Sequence, residues 1–468
     1  MNDAMNSILK AKEKTGRKRI LLVMPPDIAG AFSPHLGLGI LANVLEKNGY
    51  SVLVVDYSYL NLFKTQLPKI DDILAAFHPD VIGLSLFSQN LHLSKQFVIH
   101  VHQLQPATPI VLGGPHASLS PEKSIADISA WPGVRSVVHG EAENDIVRII
   151  KSIIDGIAEK FIDRQPVEMT NYTPPNFESF IRGKDLDTYP IQLSRGCPYQ
   201  CIFCNIDKLS GRRFRKRNIT DCIDEIHEAV SRYPKMQYVK VTDDAPNCLT
   251  ARFEEFIAQF LDHGFPVRLE VMQLRADHLT FKSCQLLKKA GQPCVCIGVE
   301  SANPEILAGV TKGETMADIE RACHYVKSAD LPLVLCFVLG LPYATKEKDF
   351  VSVRFAQRIQ PIHCYWNIAQ PMPGTKMHKY FLSQGTIYSE NAFEQSSLQG
   401  GCFADTPEYS RIDRLRMQVL AQSTTNELTP YSVINWLSRA LICGVFFRVV
   451  RALFSRRPSI PREVPRRW

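Results

Sequence analysis

The 468-residue chain contains no run of eighteen uncharged apolar residues, so the sequence offers no membrane span. Residues Met1 to Arg19 are polar and basic and lack the apolar core of a secretory leader, which points to a cytoplasmic protein. No excess charge is spread over the chain. The net charge is +7, and much of it sits in the last twenty-one residues, where Arg448, Arg451, Arg456, Arg457, Arg462, Arg466 and Arg467 face only Glu463. The remainder is near neutral, which excludes a nucleic-acid footprint running across the protein. The thirteen cysteines are odd in number and come without an export signal, which argues against a disulfide framework and for a reducing compartment. No G-x-G-x-x-G follows the first apolar run, so the dinucleotide fingerprint is missing.

Against these absences stands one dense motif. Cys197-Pro-Tyr-Gln-Cys201-Ile-Phe-Cys204 places three thiols at spacing C-x3-C-x2-C, directly after Tyr189-Pro-Ile-Gln-Leu-Ser-Arg-Gly196. Zinc favours four ligands, commonly with a second Cys or His pair further on. None stands at that spacing here; Cys222 and His227 are the nearest candidates. Thiolates are the usual ligands of iron–sulfur clusters. Three of them would leave one iron of a [4Fe–4S] cubane open to another ligand.

Two blocks of alternating strands and helices surround the motif. In the first, Arg19–Met24, Ser51–Asp56, Val81–Leu86 and Ile110–Gly114 are short apolar runs, and Leu36–Lys47 has helical spacing that stops at Asn48-Gly49. This pattern predicts a doubly wound parallel sheet with its ligand at the carboxyl ends of the strands. Those ends carry Ser85, the pair Gly113-Gly114, and His139-Gly140-Glu141. In the second block, strands are predicted at Ile191, Tyr238–Thr242, Val267–Val271, Cys294–Val299, Leu333–Val338 and His363–Ile368. Polar residues at their ends read as an active site. Cys294, Cys296, Cys336 and Cys364 lie within apolar runs and read as packed thiols.

The cysteine triple, with Phe203 inside it and Arg195-Gly196 before it, resembles the signature of the radical S-adenosylmethionine (SAM) superfamily. The Ser85 and Gly113-Gly114 elements resemble a cobalamin-binding domain. Together they are similar to the cobalamin-dependent radical SAM enzymes, a class that includes methyltransferases and the anaerobic tetrapyrrole cyclase. The resemblance implies a cobalamin-binding-like domain over 19–150, a linker over 151–188, a partial (β/α)6 barrel over 189–385 and a helical region over 386–468, after a flexible start at 1–18. It implies a [4Fe–4S] cluster on Cys197, Cys201 and Cys204, which makes these the catalytic residues. Phe203, Asp243, Asp244, Glu300 and Lys312 would meet SAM at its adenine, amino, ribose and carboxylate groups. Ser85, Gly113, Gly114, Gly140 and Glu141 would meet cobalamin. One departure is that Asp27-Ile-Ala29-Gly-Ala-Phe32 stands where the family's D-x-H-x-x-G carries a cobalt ligand, so no histidine ligand is expected from this motif. His35 nearby is more simply a solvated loop residue.

The activity implied is reductive cleavage of SAM to a 5′-deoxyadenosyl radical, with a flavodoxin or ferredoxin supplying the electron, followed by methylation of an unactivated carbon in a small molecule or lipid. A cyclase or rearrangement enzyme would share every motif. A non-enzymatic cluster-binding protein would need none of Asp243, Glu300 or Lys312. Near the end of the chain, Arg411–Leu420 reads as a helix. Pro430–Phe454 is an apolar stretch interrupted by arginines. Two placements suit that stretch: packed on the barrel, or in peripheral contact with an anionic membrane at its inner face.

Overall fold

The structure, a computed structural model, describes residues 16–26, 31, 33–63, 66–119, 122–388 and 402–426. The expectations for the loop at 27–30 and for the apolar, arginine-rich stretch from 430 onward lie outside these residues.

The first sheet has six parallel strands: β1 (Arg19–Met24), β2 (Ser51–Asp56), β3 (Val81–Ser85), β4 (Ile110–Gly113), β5 (Val134–His139) and β6 (Phe161–Asp163), in the order β2-β1-β3-β4-β5-β6. Its strands β1, β2 and β3 are buried along almost their full length, as continuous apolar runs must be when both faces are covered. The order reverses between β1 and β3. Such a switch point opens a crevice at the carboxyl ends of the strands, here those that carry Ser85 and Gly113.

β6 comes from the segment read as a linker. The rest of that segment wraps the sheet: Phe180 bridges Val54 on β2, and Ile181 donates its N–H to the Val54 carbonyl at 3.0 Å. It also reaches the second domain, where the Phe177 N–H meets the Tyr233 hydroxyl at 3.1 Å.

The second domain is built on β7 (Thr188–Ile191), β10 (Tyr238–Val241) and β11 (Arg268–Val271), followed by β12 (Val295–Glu300), β13 (Leu333–Leu339) and β14 (His363–Ile368). These make two three-stranded parallel sheets, joined by a bridge between Leu274 and Ile297. The spatial order therefore follows the chain, giving the six-stranded partial barrel expected from the sequence. A short hairpin, β8 (Ser194–Arg195) with β9 (Arg215–Lys216), is inserted after β7. The outer strand β14 is covered by the helix Arg411–Thr425. The Asn426 amide that follows this helix pairs with both backbone groups of Cys364, and the Trp366 indole donates to Thr425 at 2.8 Å.

Candidate active site

The loop with the three cysteines is held at both ends. At its base the β8–β9 hairpin closes, and the Cys197 N–H donates to the Gly211 carbonyl at 3.1 Å. Gly196 has φ +89°, and a Cβ there would lie 2.3 Å from the Arg213 carbonyl oxygen, so only glycine fits. At its far end the Ile202 N–H donates to the Val310 carbonyl, and the Thr311 hydroxyl donates to the Gln200 carbonyl at 2.6 Å. The backbone is thus pinned while Cys197, Cys201 and Cys204 remain free and partly exposed. Burial, then the neighbouring Cys204, pushes the Cys201 thiol up to about 11. Burial also raises Cys197 and Cys204. A bound cation would reverse this by favouring the thiolates. Among the described residues no three Cys, His, Asp or Glu converge on one ion position. A cubane does not require that, because each thiolate binds a different iron.

Asp243 and Asp244 stand at the end of β10, and both are bonded to the chain just before the cysteines. The buried Asp243 carboxylate accepts the Leu193 N–H at 2.7 Å and is bonded to the Ser194 hydroxyl. Both bonds tie the end of β10 to the start of the β8–β9 hairpin. Burial pushes the Asp243 carboxyl up to about 7. Asp244 accepts the Gly196 N–H at 2.8 Å and so also fixes the start of the loop.

Lys312 is buried between two carboxylates, Glu300 at 3.2 Å and Glu314 at 3.1 Å, and its ammonium also meets the Gly298 carbonyl. Glu300 has φ +60°, a conformation that costs a non-glycine residue energy and clusters at functional sites. Arg275 lies with its guanidinium 3.3 Å from the centroid of the Tyr199 ring, inside the cysteine loop, and donates to the Lys312 carbonyl at 2.9 Å. Phe203 packs, half-buried, against the core. Sequence reasoning missed Glu314 and Tyr199. The available signal was a carboxylate two residues beyond a candidate cation, and an aromatic ring between the first two cysteines.

The crevice of the first sheet holds a cavity of about 370 Å³. It is lined by Ser85, Gly113 and Gly114, by the start of the helix Leu36–Lys47, and by Gln192 and Arg195 of the second domain. Gly114 has φ +92°, and a Cβ there would lie 2.7 Å from the Leu86 nitrogen. Gly113 has nothing nearer than 3.8 Å to a Cβ, so a side chain there would project into open cavity. Gly140 lines the cavity. Glu141 also borders it, and its carboxylate is bound by Arg215 and Arg195.

His35 is not a solvated loop residue; it lines this cavity as the N-cap of the helix. Its Nδ1 accepts the Leu38 N–H at 3.2 Å, and its Nε2 lies 3.1 Å from the Ser85 hydroxyl. A nitrogen that accepts an N–H carries no proton, so the proton belongs on Nε2. Burial lowers the imidazole to about 4 and keeps it neutral.

Comparison with known proteins places this geometry. The family model described as B12 binding domain matches residues 29–150, and that of the radical SAM superfamily matches residues 191–352. The chain is a cobalamin-dependent radical SAM enzyme. This radical SAM enzyme is 24% identical over 399 residues to an uncharacterized methyltransferase of Pyrococcus horikoshii, covering 80% of this chain and 85% of the relative. It is 24% identical over 414 residues to the anaerobic magnesium-protoporphyrin IX monomethyl ester cyclase of Cereibacter sphaeroides, covering 80% of this chain and 65% of that protein. Its fold matches that of the radical SAM methyltransferase TsrM from Kitasatospora setae with TM-score 0.67 at 16% identity, over 93% of this chain and all of the other.

The enzyme's cofactors are a [4Fe–4S] cluster, SAM and cobalamin, and the residues present fit them. Three accessible thiols share a pinned loop beside the cations Arg275 and Lys312. The glycine-lined cavity at the switch point leaves open volume where Gly113 has no side chain. Among the described residues no helix is long and apolar enough to cross a membrane.

Proposed function

We propose that this enzyme methylates an unactivated carbon of a small molecule or lipid. The observation that carries this reading is the shared wall between the two sites. Arg195 lines the cobalamin cavity and lies two residues before Cys197, so the first domain's crevice opens against the base of the cysteine loop. The methyltransferase among the relatives supports the same reading.

When bound, the cluster and SAM supply a radical initiator, and cobalamin supplies a methyl carrier. The chain's own residues do the rest. Cys197, Cys201 and Cys204 provide the thiolates. Lys312 is the cation for the SAM carboxylate and Glu300 the acceptor for its ribose hydroxyls, each exchanging its present partner for the ligand. The loop backbone at Phe203 would meet the adenine. Asp243 and Asp244 hold the loop in register. Ser85, Gly113, Gly114 and Gly140 shape the cobalamin cavity. A flavodoxin or ferredoxin is the electron donor in this reading.

The test uses SAM carrying a deuterated methyl group. Reconstituted enzyme, reduced without oxygen, is incubated with small-molecule and lipid extracts of cells that lack it. Mass spectrometry should find a product bearing the labelled methyl, formed together with S-adenosylhomocysteine and 5′-deoxyadenosine. A transformed product without the label would replace this reading with the cyclase one, which the tetrapyrrole cyclase relative favours.

A further inference from the structure

Four charged side chains meet where the two domains join, three of them almost fully buried and Glu143 partly so. Glu141, just beyond the carboxyl end of β5, receives both terminal nitrogens of Arg215, at 2.6 and 2.8 Å. It also receives Arg195 at 3.1 Å and the Val167 N–H of the wrapping segment at 2.6 Å. Glu143 takes Arg195 at 2.6 Å. The side chains of Arg195, Arg215 and Glu141 are 8%, 2% and 9% exposed. Both acids belong to the first domain and both arginines to the hairpin that closes the cysteine loop. Arg195 and Arg215 are direct partners across that hairpin.

Buried ion clusters cost desolvation that their attraction offsets only in part, so a buried cluster adds little to stability, and fixing one geometry is the use it can serve. The location shows which geometry. Glu141, Glu143 and Arg195 all border the cobalamin cavity, while Gly196 and Cys197 follow Arg195 directly in the chain. A guanidinium with one terminal nitrogen held by two carboxylates of the first domain sets where the cysteine loop begins.

We infer that Glu141, assisted by Glu143, is a positioning residue that fixes the distance between the cobalamin cavity and the cluster loop by clamping Arg195 and Arg215. The inference rests on the presence of both cofactors in this chain. Glu141 touches neither reacting group; it acts through the two arginines. A cluster serving only as adhesive between the domains would resist melting but would not control the separation of the two cofactors.

The experiment measures that separation. In the holoenzyme both cob(II)alamin and the reduced cluster carry an unpaired electron, and their dipolar coupling reports a distance distribution. Glu141→Gln retains the size of the side chain and loses its charge. It is expected to keep the iron and cobalamin content of the wild type while its distance distribution shifts or broadens. Glu143→Gln, which removes only the second charge on Arg195, should do the same to a smaller extent and serves if the first variant does not fold. Arg164→Gln breaks an ion pair with Asp145, at 3.2 Å, that involves no residue of the cysteine domain, and should leave the distribution unchanged. If the fully loaded Glu141 and Glu143 variants give the wild-type distribution, the positioning role is overturned. A wild-type chain that takes up only one of the two cofactors would instead overturn the reading on which the inference rests, and the inference with it.

Discussion

Replacing Lys312 with Met should weaken both the barrel and its hold on SAM, and the structure gives the size of the effect. The ammonium lies between Glu300 and Glu314, and the Glu314 side chain is 0% exposed. Methionine fills similar space but leaves the buried Glu314 with one cation in place of two, Arg275 at 3.6 Å. Removing one partner of such a pair costs about 3–5 kcal/mol, which corresponds to a fall in melting temperature on the order of 10 °C for a domain of this size. Burial already raises the Glu314 carboxyl, with Lys312 and Arg275 opposing that shift. Without Lys312 the folded-state value rises further above the unfolded one. The folded state then holds a proton that the unfolded state has lost, so stability falls as pH rises through that window. The deficit of the variant relative to wild type should therefore be smaller at pH 5 than at pH 8. Adding Glu314→Gln to the Lys312→Met variant should recover much of the loss, because the under-compensated charge is gone. In the same samples, loss of one charge-assisted contact should weaken SAM binding by about tenfold or more. A Lys312→Met variant that melts and binds SAM like wild type would refute the assignment of Lys312 as a buried, ligand-facing cation.

Two further outcomes follow from individual side chains. The Nε2 of His35 carries its proton toward Ser85, so it has no lone pair for cobalt; the paramagnetic resonance of the cob(II)alamin form should show no axial nitrogen splitting, and a splitting that disappears in His35→Ala would contradict the tautomer argument. Burial pushes the Asp349 carboxyl up to about 7, above its unfolded value, so its contribution to stability is lost as pH rises from about 4 to 7; Asp349→Asn, which can still accept the Gly340 N–H, should gain on wild type in melting temperature between pH 5 and pH 8, and parallel curves would show that Asp349 is not buried as described.

Much of the architecture was legible because it is written locally. Apolar runs such as Arg19–Met24 and Leu333–Leu339, each ended by proline, glycine or an acid, marked the strands. The cysteine spacing and the Gly113-Gly114 pair are each readable within eight residues. What was not legible depends on partners distant in sequence. Asp243 and Asp244 are neighbours at one strand end, and nothing in the sequence tells that the first turns inward to β8, some fifty residues earlier. Glu141 reads as a ligand contact, and nothing near it in the chain announces Arg215, 74 residues away, which comes to meet it. His35 gains its role only because Ser85 lies opposite on another strand. Phe161–Asp163 is too short to carry a period of two, so β6 was hidden within a segment that reads as irregular.

The wrapping segment has a consequence for how this protein can be divided. A sheet exposes unpaired backbone along its two outermost strands, and proteins must cover those borders to avoid unwanted pairing. Here one border is extended by β6 and the other is met by Phe180 and Ile181, all supplied by residues 161–181. A fragment ending at residue 150 would keep the first domain's side of the cobalamin crevice yet leave β5 bare on one side and β2 uncovered on the other. Such a fragment should self-associate, whereas one extended to residue 187 should remain monomeric. The first domain and its wrapping segment therefore form a single inheritable cassette: a recombination event that cut between them at the apparent boundary would deliver a sheet with two sticky borders in place of a portable cobalamin module.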